Sequence, residues 1–214
     1  MPPKSVNRPA GTQTILALCA LLALPGCASK YSQVPPRLDL APYGQVALVT
    51  FAADQSSHAG MSELASRRFA EALLSAQPGV ELLEVEPGDS ALRGIPANDA
   101  PAMAKALGRQ KDVPAVFVGY LEVSGMRPKG HFNTAGVNLR ATVSAELSVR
   151  LLSTRTGATL WRSTSASEGT VGRVNVSGGL PAVAVRDQEE ASGEVVRELV
   201  AGVSRDLRPT WVKQ

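Results

Sequence analysis

Cysteine, histidine and aromatic residues are all scarce in this 214-residue chain, and each shortage excludes something. The two cysteines are Cys19 and Cys27, and Cys19 lies inside an apolar run near the start, so a disulfide-stapled scaffold is excluded. The two histidines, His58 and His131, sit far apart and in neither an H-x-x-x-H nor an H-E-x-x-H pair, which gives no zinc-binding pattern. Aromatics make up 4%, so the core must rely on Val, Leu and Ala. There is no phosphate-binding G-x-x-x-x-G-K-[ST], no G-x-G-x-x-G after a strand, and no internal repeat. Ser177-Gly178-Gly179 lacks the spacing of a nucleophile elbow. No cofactor is expected. Asp54, Ser56 and His58 are the residue types of a hydrolase, although such a triad within one short loop would be unusual.

Charge excludes a further class. Lys and Arg number 22 against 19 acidic residues, a formal +3. Residues 1–26 hold Lys4 and Arg8 and no acid; 22 minus 2 leaves 20 against 19, or +1. With no basic run in the remainder, nucleic acid is not an expected partner.

What is present begins with Ile15–Leu24, an uninterrupted apolar stretch after a polar, cationic start. It suits a signal-peptide core and falls well short of the roughly 20 residues of a membrane-spanning helix. Leu24-Pro25-Gly26-Cys27 follows and reads as a lipoprotein cleavage motif, with a small residue before the cysteine. Residues 1–26 are then a signal peptide and Cys27 is the lipidated (palmitate-bearing) first residue. An ordinary secretory cut after Ala28 is the alternative. Buried acyl chains contribute about 0.8 kcal/mol per methylene, so several chains anchor firmly where one does not. Ala28-Ser29 carries no aspartate of the kind that resembles an inner-membrane retention signal, which points to the periplasmic side of the outer membrane. Residues 27–44, with Pro35, Pro36 and Pro42, read as a tether.

The remainder, 45–208, reads as one α/β domain: a single mixed β-sheet with packed helices, in the order β-α-β-α-β-β-β-α, with a tail at 209–214. Strands are predicted at Val46–Phe51, Val80–Val85 and Ala115–Leu121. A helix running from about Met61 to Ala76 is followed by Gln77-Pro78-Gly79 as its stop. Asn98 or Asp99 can cap a second helix, with Gly108 suited to its end. Strict alternation over Thr142–Leu151 is the clearest strand signal; Gly157 turns the chain into a partner strand at Thr159–Ser163. A last helix spans Gln188–Leu207. Ser124–Asn138 and Glu168–Pro181 read as loops. In the first, Arg127, Lys129, His131 and Phe132 combine charge with an aromatic ring and form a candidate partner-binding loop.

Three stretches carry a family resemblance. The Val46–Phe51 strand, helix and Val80–Val85 strand come first. Ala104-Lys105-Ala106-Leu107-Gly108 with Val113–Gly119 comes second. The third is the Ser148–Trp161 hairpin, with its Thr154-Arg155-Thr156-Gly157 turn ahead of a Trp. Together they resemble the curli-secretion lipoprotein family, and the fold is similar to that of the lipoprotein activators of penicillin-binding proteins and the amino-terminal domain of TolB. The resemblance implies a non-catalytic interaction domain in a cell-envelope complex, held to the membrane by lipid on Cys27, with a protein partner and scope for a homo-oligomer. A subunit of an oligomeric secretion channel is the alternative, and it would need two extra spanning hairpins. Each spanning strand takes about 9–11 alternating residues, and a single such strand is legible. A hydrolase of unknown substrate is the remaining alternative.

Overall fold

The computed structural model describes residues 31–133, 136–177, 180–185 and 188–213. Leu24, Pro25, Gly26 and Cys27 lie outside the described residues. The chain divides into two compact units, Met1–Gln33 with Trp211–Gln214, and Val34–Thr210. In the first, strand β1 (Tyr31–Val34) pairs with β9 (Thr210–Lys213).

The second unit is built on a mixed sheet of seven strands: β2 (Gln45–Val49), β3 (Ala52–Ala53), β4 (Glu81–Val85), β5 (Ala115–Asn133), β6 (Gly136–Ser153), β7 (Thr159–Ser177) and β8 (Leu180–Val185). The order across it is β4-β2-β5-β6-β7-β8, with β3 beside β5. β2 runs parallel to β4 and β5, whereas β5 to β8 are antiparallel neighbours. Among the described residues three helices pack on the sheet: α1 (Ala59–Ala76), α2 (Ala100–Lys111) and α3 (Gln188–Val203). The expected mixed α/β class is the one observed.

Alternation sorts the strand residues into two apolar layers. Val46, Leu48, Phe117, Leu147, Val149 and Leu151 face α1 and α3, where they meet Phe69, Leu73, Val196 and Leu199. Ala47, Val49, Val116, Val118 and Leu152 face the other way, toward Met103, Ala104 and Leu107 of α2. The scarce aromatics are concentrated in the first layer. Phe51, Phe69, Phe117 and Trp161 form a chain of ring contacts with centroids 5.5, 5.3 and 6.1 Å apart. Trp161 is half-buried against the core, and its Nε1–H donates to Asp206 Oδ2 at 3.3 Å.

Several local expectations are corrected. Asp99, not Asn98, caps α2, accepting from the Ala102 amide at 3.0 Å. Gly108 does not end that helix; Asp112 takes the left-handed conformation there (φ 54°). Gly108 is needed because a Cβ would stand 2.6 Å from Thr154 Cβ on the hairpin turn. Gly157 does turn the hairpin, at φ +78°. The tether joins the core earlier than residue 44: Leu38 and Leu40 are buried. They are held by Gln77, a buried side chain whose Nε2 donates to Leu38 O (3.1 Å) and Leu207 O (2.7 Å), while its Oε1 accepts from Leu40 N (3.2 Å). The last helix ends at Val203, and a 3-10 turn carries Arg205–Leu207.

The largest correction concerns the two expected loops. Ser124–Asn138 and most of Glu168–Pro181 are strand, so β5, β6 and β7 run for 19, 18 and 19 residues. Glycine and proline at Gly125, Pro128, Gly130, Gly169 and Gly172 suggest loops when read locally. Antiparallel pairing along the whole ladder outweighs them.

Candidate functional site

Two features of the second unit could act on other molecules. The first is the far part of the sheet, where β5 to β8 run side by side. Register places residues of the four strands in shared rows. Phe132, Val137, Val176 and Pro181 form one, Gly130, Leu139, Val174 and Val183 the next, and Pro128, Ala141, Gly172 and Val185 a third. These rows are two residues apart along each strand and so belong to one face, which is apolar throughout. The intervening rows are His131, Asn138, Asn175 and Ala182, then Lys129, Arg140, Arg173 and Ala184. The other face is therefore polar and cationic on three of its four strands. The candidate loop residues are thus strand residues. Arg127, Lys129 and His131 share the polar face, while Phe132 belongs to the apolar one.

The signal for this sheet was present in β6. The alternation that begins at Thr142 extends back through Ala141, Arg140, Leu139, Asn138 and Val137 without a break.

The second feature is a cleft of about 560 Å³ at the carboxyl ends of β2 and β4. The crossover through α1 goes from β2 to one side and that through α2 returns to the other, so the chain reverses its order here. Crevices of this kind are the usual ligand sites of open α/β sheets. Val49, Leu92, Ile95, Met103 and Val118 supply apolar lining. The segment bearing Leu92 is fixed by Asp89, which accepts from the Ala91 amide at 2.8 Å and pairs with Lys111 Nζ at 3.0 Å. The Ala91 amide and then Lys111 hold the Asp89 carboxyl below its ordinary 3.8. Phe51, at the cleft's other side, is held by its amide donating to Ser66 Oγ at 2.7 Å.

Beyond the cover of α2 the same sheet face is open. Its rows are Val118, Arg150, Arg162; then Tyr120, Ser148, Thr164; then Glu122, Glu146, Ala166. Tyr120 is 48% exposed. Two arginines stand directly opposite each other, and so do two glutamates. Among the described residues none of these four has an ion-pair partner.

The hydrolase residue types are partly assembled. His58 Nδ1–H donates to Asp54 Oδ1 at 2.7 Å. Burial raises the Asp54 pKa, but the His58 hydrogen bond and charge, with the Val123 and Gln55 amides, bring it net below 3.8. Among the described residues no serine oxygen is hydrogen-bonded to the His58 ring. No cluster of three or more metal-ligating side chains occurs among the described residues, and no described helix is long and apolar enough to cross a membrane.

No family model matches the chain, and no curated protein matches it in sequence. Solved structures are similar to it at low identity. The PelC dodecamer from Paraburkholderia phytofirmans is 18% identical over 84% of this chain and 96% of that one, with a TM-score of 0.43. Lipoprotein GNA1162 from Neisseria meningitidis is 17% identical over 59% and 83%, at 0.34. The LpoB C-terminal domain from Salmonella enterica is 17% identical over 63% and 84%, at 0.35. At these values the likenesses assign no role.

Proposed function

We propose that this chain is a non-catalytic envelope lipoprotein, anchored by lipid on Cys27 at the periplasmic side of the outer membrane, whose far sheet enters the bilayer and joins copies of itself into a β-lined channel. The observation that carries the channel reading is the two-faced sheet of β5 to β8. It supplies two hairpins in which one face is apolar in every row, while the other is polar on β5, β6 and β7 and carries Ala182 and Ala184 on β8. A strand crosses a bilayer in about 9–11 tilted residues; past the Ser124/Arg127 irregularity β5 and β6 pair over seven residues, from Arg127↔Thr142 to Asn133↔Gly136, and β8 has six, so the sheet spans the hydrocarbon only if the copies thin the bilayer around it.

A four-stranded sheet cannot lie alone in hydrocarbon, because its outer strands would present unpaired amides and carbonyls. Edge-to-edge pairing of β5 with β8 of the next copy removes both edges at once. Pro128 and Pro181 lie on these outer strands, where a sheet tolerates proline at the loss of a ladder bond. Inside such a ring the Lys129, Arg140 and Arg173 row would line the lumen and favour anionic passage. The coarser reading, an interaction domain in an envelope complex, does not need the ring.

The experiment is detergent extraction of the lipidated chain, followed by mass determination and conductance in planar bilayers. A discrete large oligomer that conducts supports the channel. A monomer that inserts no strands, by protease protection of 125–141 and 170–185, leaves only the interaction reading.

A further inference from the structure

The open sheet face beside the cleft carries its charges in an arrangement that stability alone does not favour. Like charges directly opposite on neighbouring strands repel, and here that happens twice: Arg150 opposite Arg162, and Glu122 opposite Glu146. One exchange between the rows would have made two attractive pairs. The two rows lie four residues apart along β6, about 13 Å at the rise of a strand, too far for the opposite charges to meet. Between them is the row of Tyr120, Ser148 and Thr164, whose hydroxyls Ser148 Oγ and Thr164 Oγ1 lie 3.2 Å apart. Tyr120, Ser148 and the four charged residues line one wall of the cleft itself, and Val49, Ile95 and Met103 line its apolar part.

We propose that this face and cleft bind an extended peptide segment of a partner protein. The segment carries an acidic side chain over Arg150 and Arg162, a basic one over Glu122 and Glu146, and an apolar side chain entering the cleft.

Three observations select that occupant. An extended peptide has the same rise per residue as the strand beneath it, so side chains at i and i+4 fall over the two charged rows in register. Paired arginines present forked donors that suit a carboxylate, and paired glutamates suit an ammonium or guanidinium. A cleft of about 560 Å³, lined by the four charged residues and by Val49, Ile95 and Met103, takes a short peptide segment without holding a whole folded partner. The segment needs no exposed sheet edge, because it lies on the face. The proposal is independent of the channel reading: every residue it uses is short of the Ser124/Arg127 irregularity or on the matching part of β6 and β7.

The test is fluorescence anisotropy with labelled octapeptides on the soluble chain lacking residues 1–27, which removes the signal, the lipid site and no part of the second unit. One peptide carries a glutamate and, four residues on, a lysine, with leucine and serine elsewhere. Two others carry glutamate at both positions or lysine at both. The bipolar peptide is expected to bind about tenfold tighter than either single-sign peptide, as desolvated charged hydrogen bonds would give. Arg150→Glu with Arg162→Glu should switch the preference to the all-lysine peptide. Arg150→Gln with Arg162→Gln, which removes the charge and keeps a polar end on a shorter side chain, should erase the preference while leaving the melting temperature close to wild type. Equal binding of the three peptides, or an unchanged ranking in the glutamate variant, would overturn the proposal. So would self-association in light scattering that these same substitutions abolish, since the occupant would then be a second copy of the chain.

Discussion

Gln77 shows how one polar residue can decide where a chain closes. Its side-chain amide is buried and hydrogen-bonds to main-chain groups of two distant segments, at Leu38, Leu40 and Leu207. Buried polar groups tolerate burial only when satisfied in this way. Gln77→Leu keeps the volume and strands two carbonyls and an amide. Each buried group left unmade costs about 1–3 kcal/mol, so a loss of about 2–4 kcal/mol is expected after partial access of water. Urea unfolding measures it, and a loss under about 1 kcal/mol would mean that the Leu38 segment is not docked in solution. In sequence Gln77 is legible only as part of a helix stop, because nothing local reveals partners 39 and 130 positions away.

The Asp54–His58 pair carries a pH dependence. The Asp54 carboxyl binds its proton less tightly in the folded chain than at its ordinary 3.8, so its contribution is complete above that value and is lost as pH falls through the depressed one. His58→Ala removes the leading favourable cause and leaves burial opposing ionisation. Between about pH 5 and pH 3 the wild type should therefore lose more stability than His58→Ala does. Parallel curves across that range would show that His58 does not hold the carboxylate.

At the scale of elements, legibility followed the length of the pattern. The short parallel strands and the amphipathic helices are bounded by caps and turns, and their periodicity places them within a few residues. The far halves of β5 and β7 were hidden because Gly and Pro argue locally for a loop, while the reason for strand lies in the partner across the ladder. β6 alone advertised its full length, since its alternation runs unbroken from Val137 to Leu151. A long alternating strand with a weak neighbour on each side is thus a pointer to a sheet larger than its legible strands. The candidate site was less legible still. Opposed charges on a sheet face appear only once register is known, and Arg150 and Glu146 look like ordinary solvent-facing members of an alternating strand.

The two faces of the far sheet make opposite demands on substitution. In a bilayer, an arginine on the lipid-facing side of a barrel costs about 2–4 kcal/mol near the midplane, whereas the inner face accepts charge. Leu139 lies in the apolar row with Gly130, Val174 and Val183, and Asn138 in the polar row beside it. Leu139→Arg should abolish flotation of the lipid-free chain with liposomes, while Asn138→Arg should leave it intact. Both should melt alike, so that flotation alone separates them. Equal flotation of the two variants would remove the membrane assignment of this sheet.

For the whole molecule, the proposed anchor and the proposed membrane sheet would do different work. A strand sheet with open edges enters a bilayer productively only when neighbours are at hand to cover those edges. Lipid on Cys27 would supply that condition by confining copies to one surface, where a short tether gives local concentrations in the millimolar range. The anchor is then a concentrator and the sheet is the device. Cys27→Ser should release the chain into the soluble periplasmic fraction and lower oligomer yield in cells by about 10²–10⁴-fold, the usual scale of lost avidity. The same variant, purified and mixed with liposomes at millimolar concentration, should recover the oligomer, since the edges and faces that build it are unchanged. Recovery separates a concentrating anchor from one that forms part of the assembly. Failure to recover at any concentration would place the lipid inside the oligomer itself, and undiminished oligomer in cells would show that copies find one another without it.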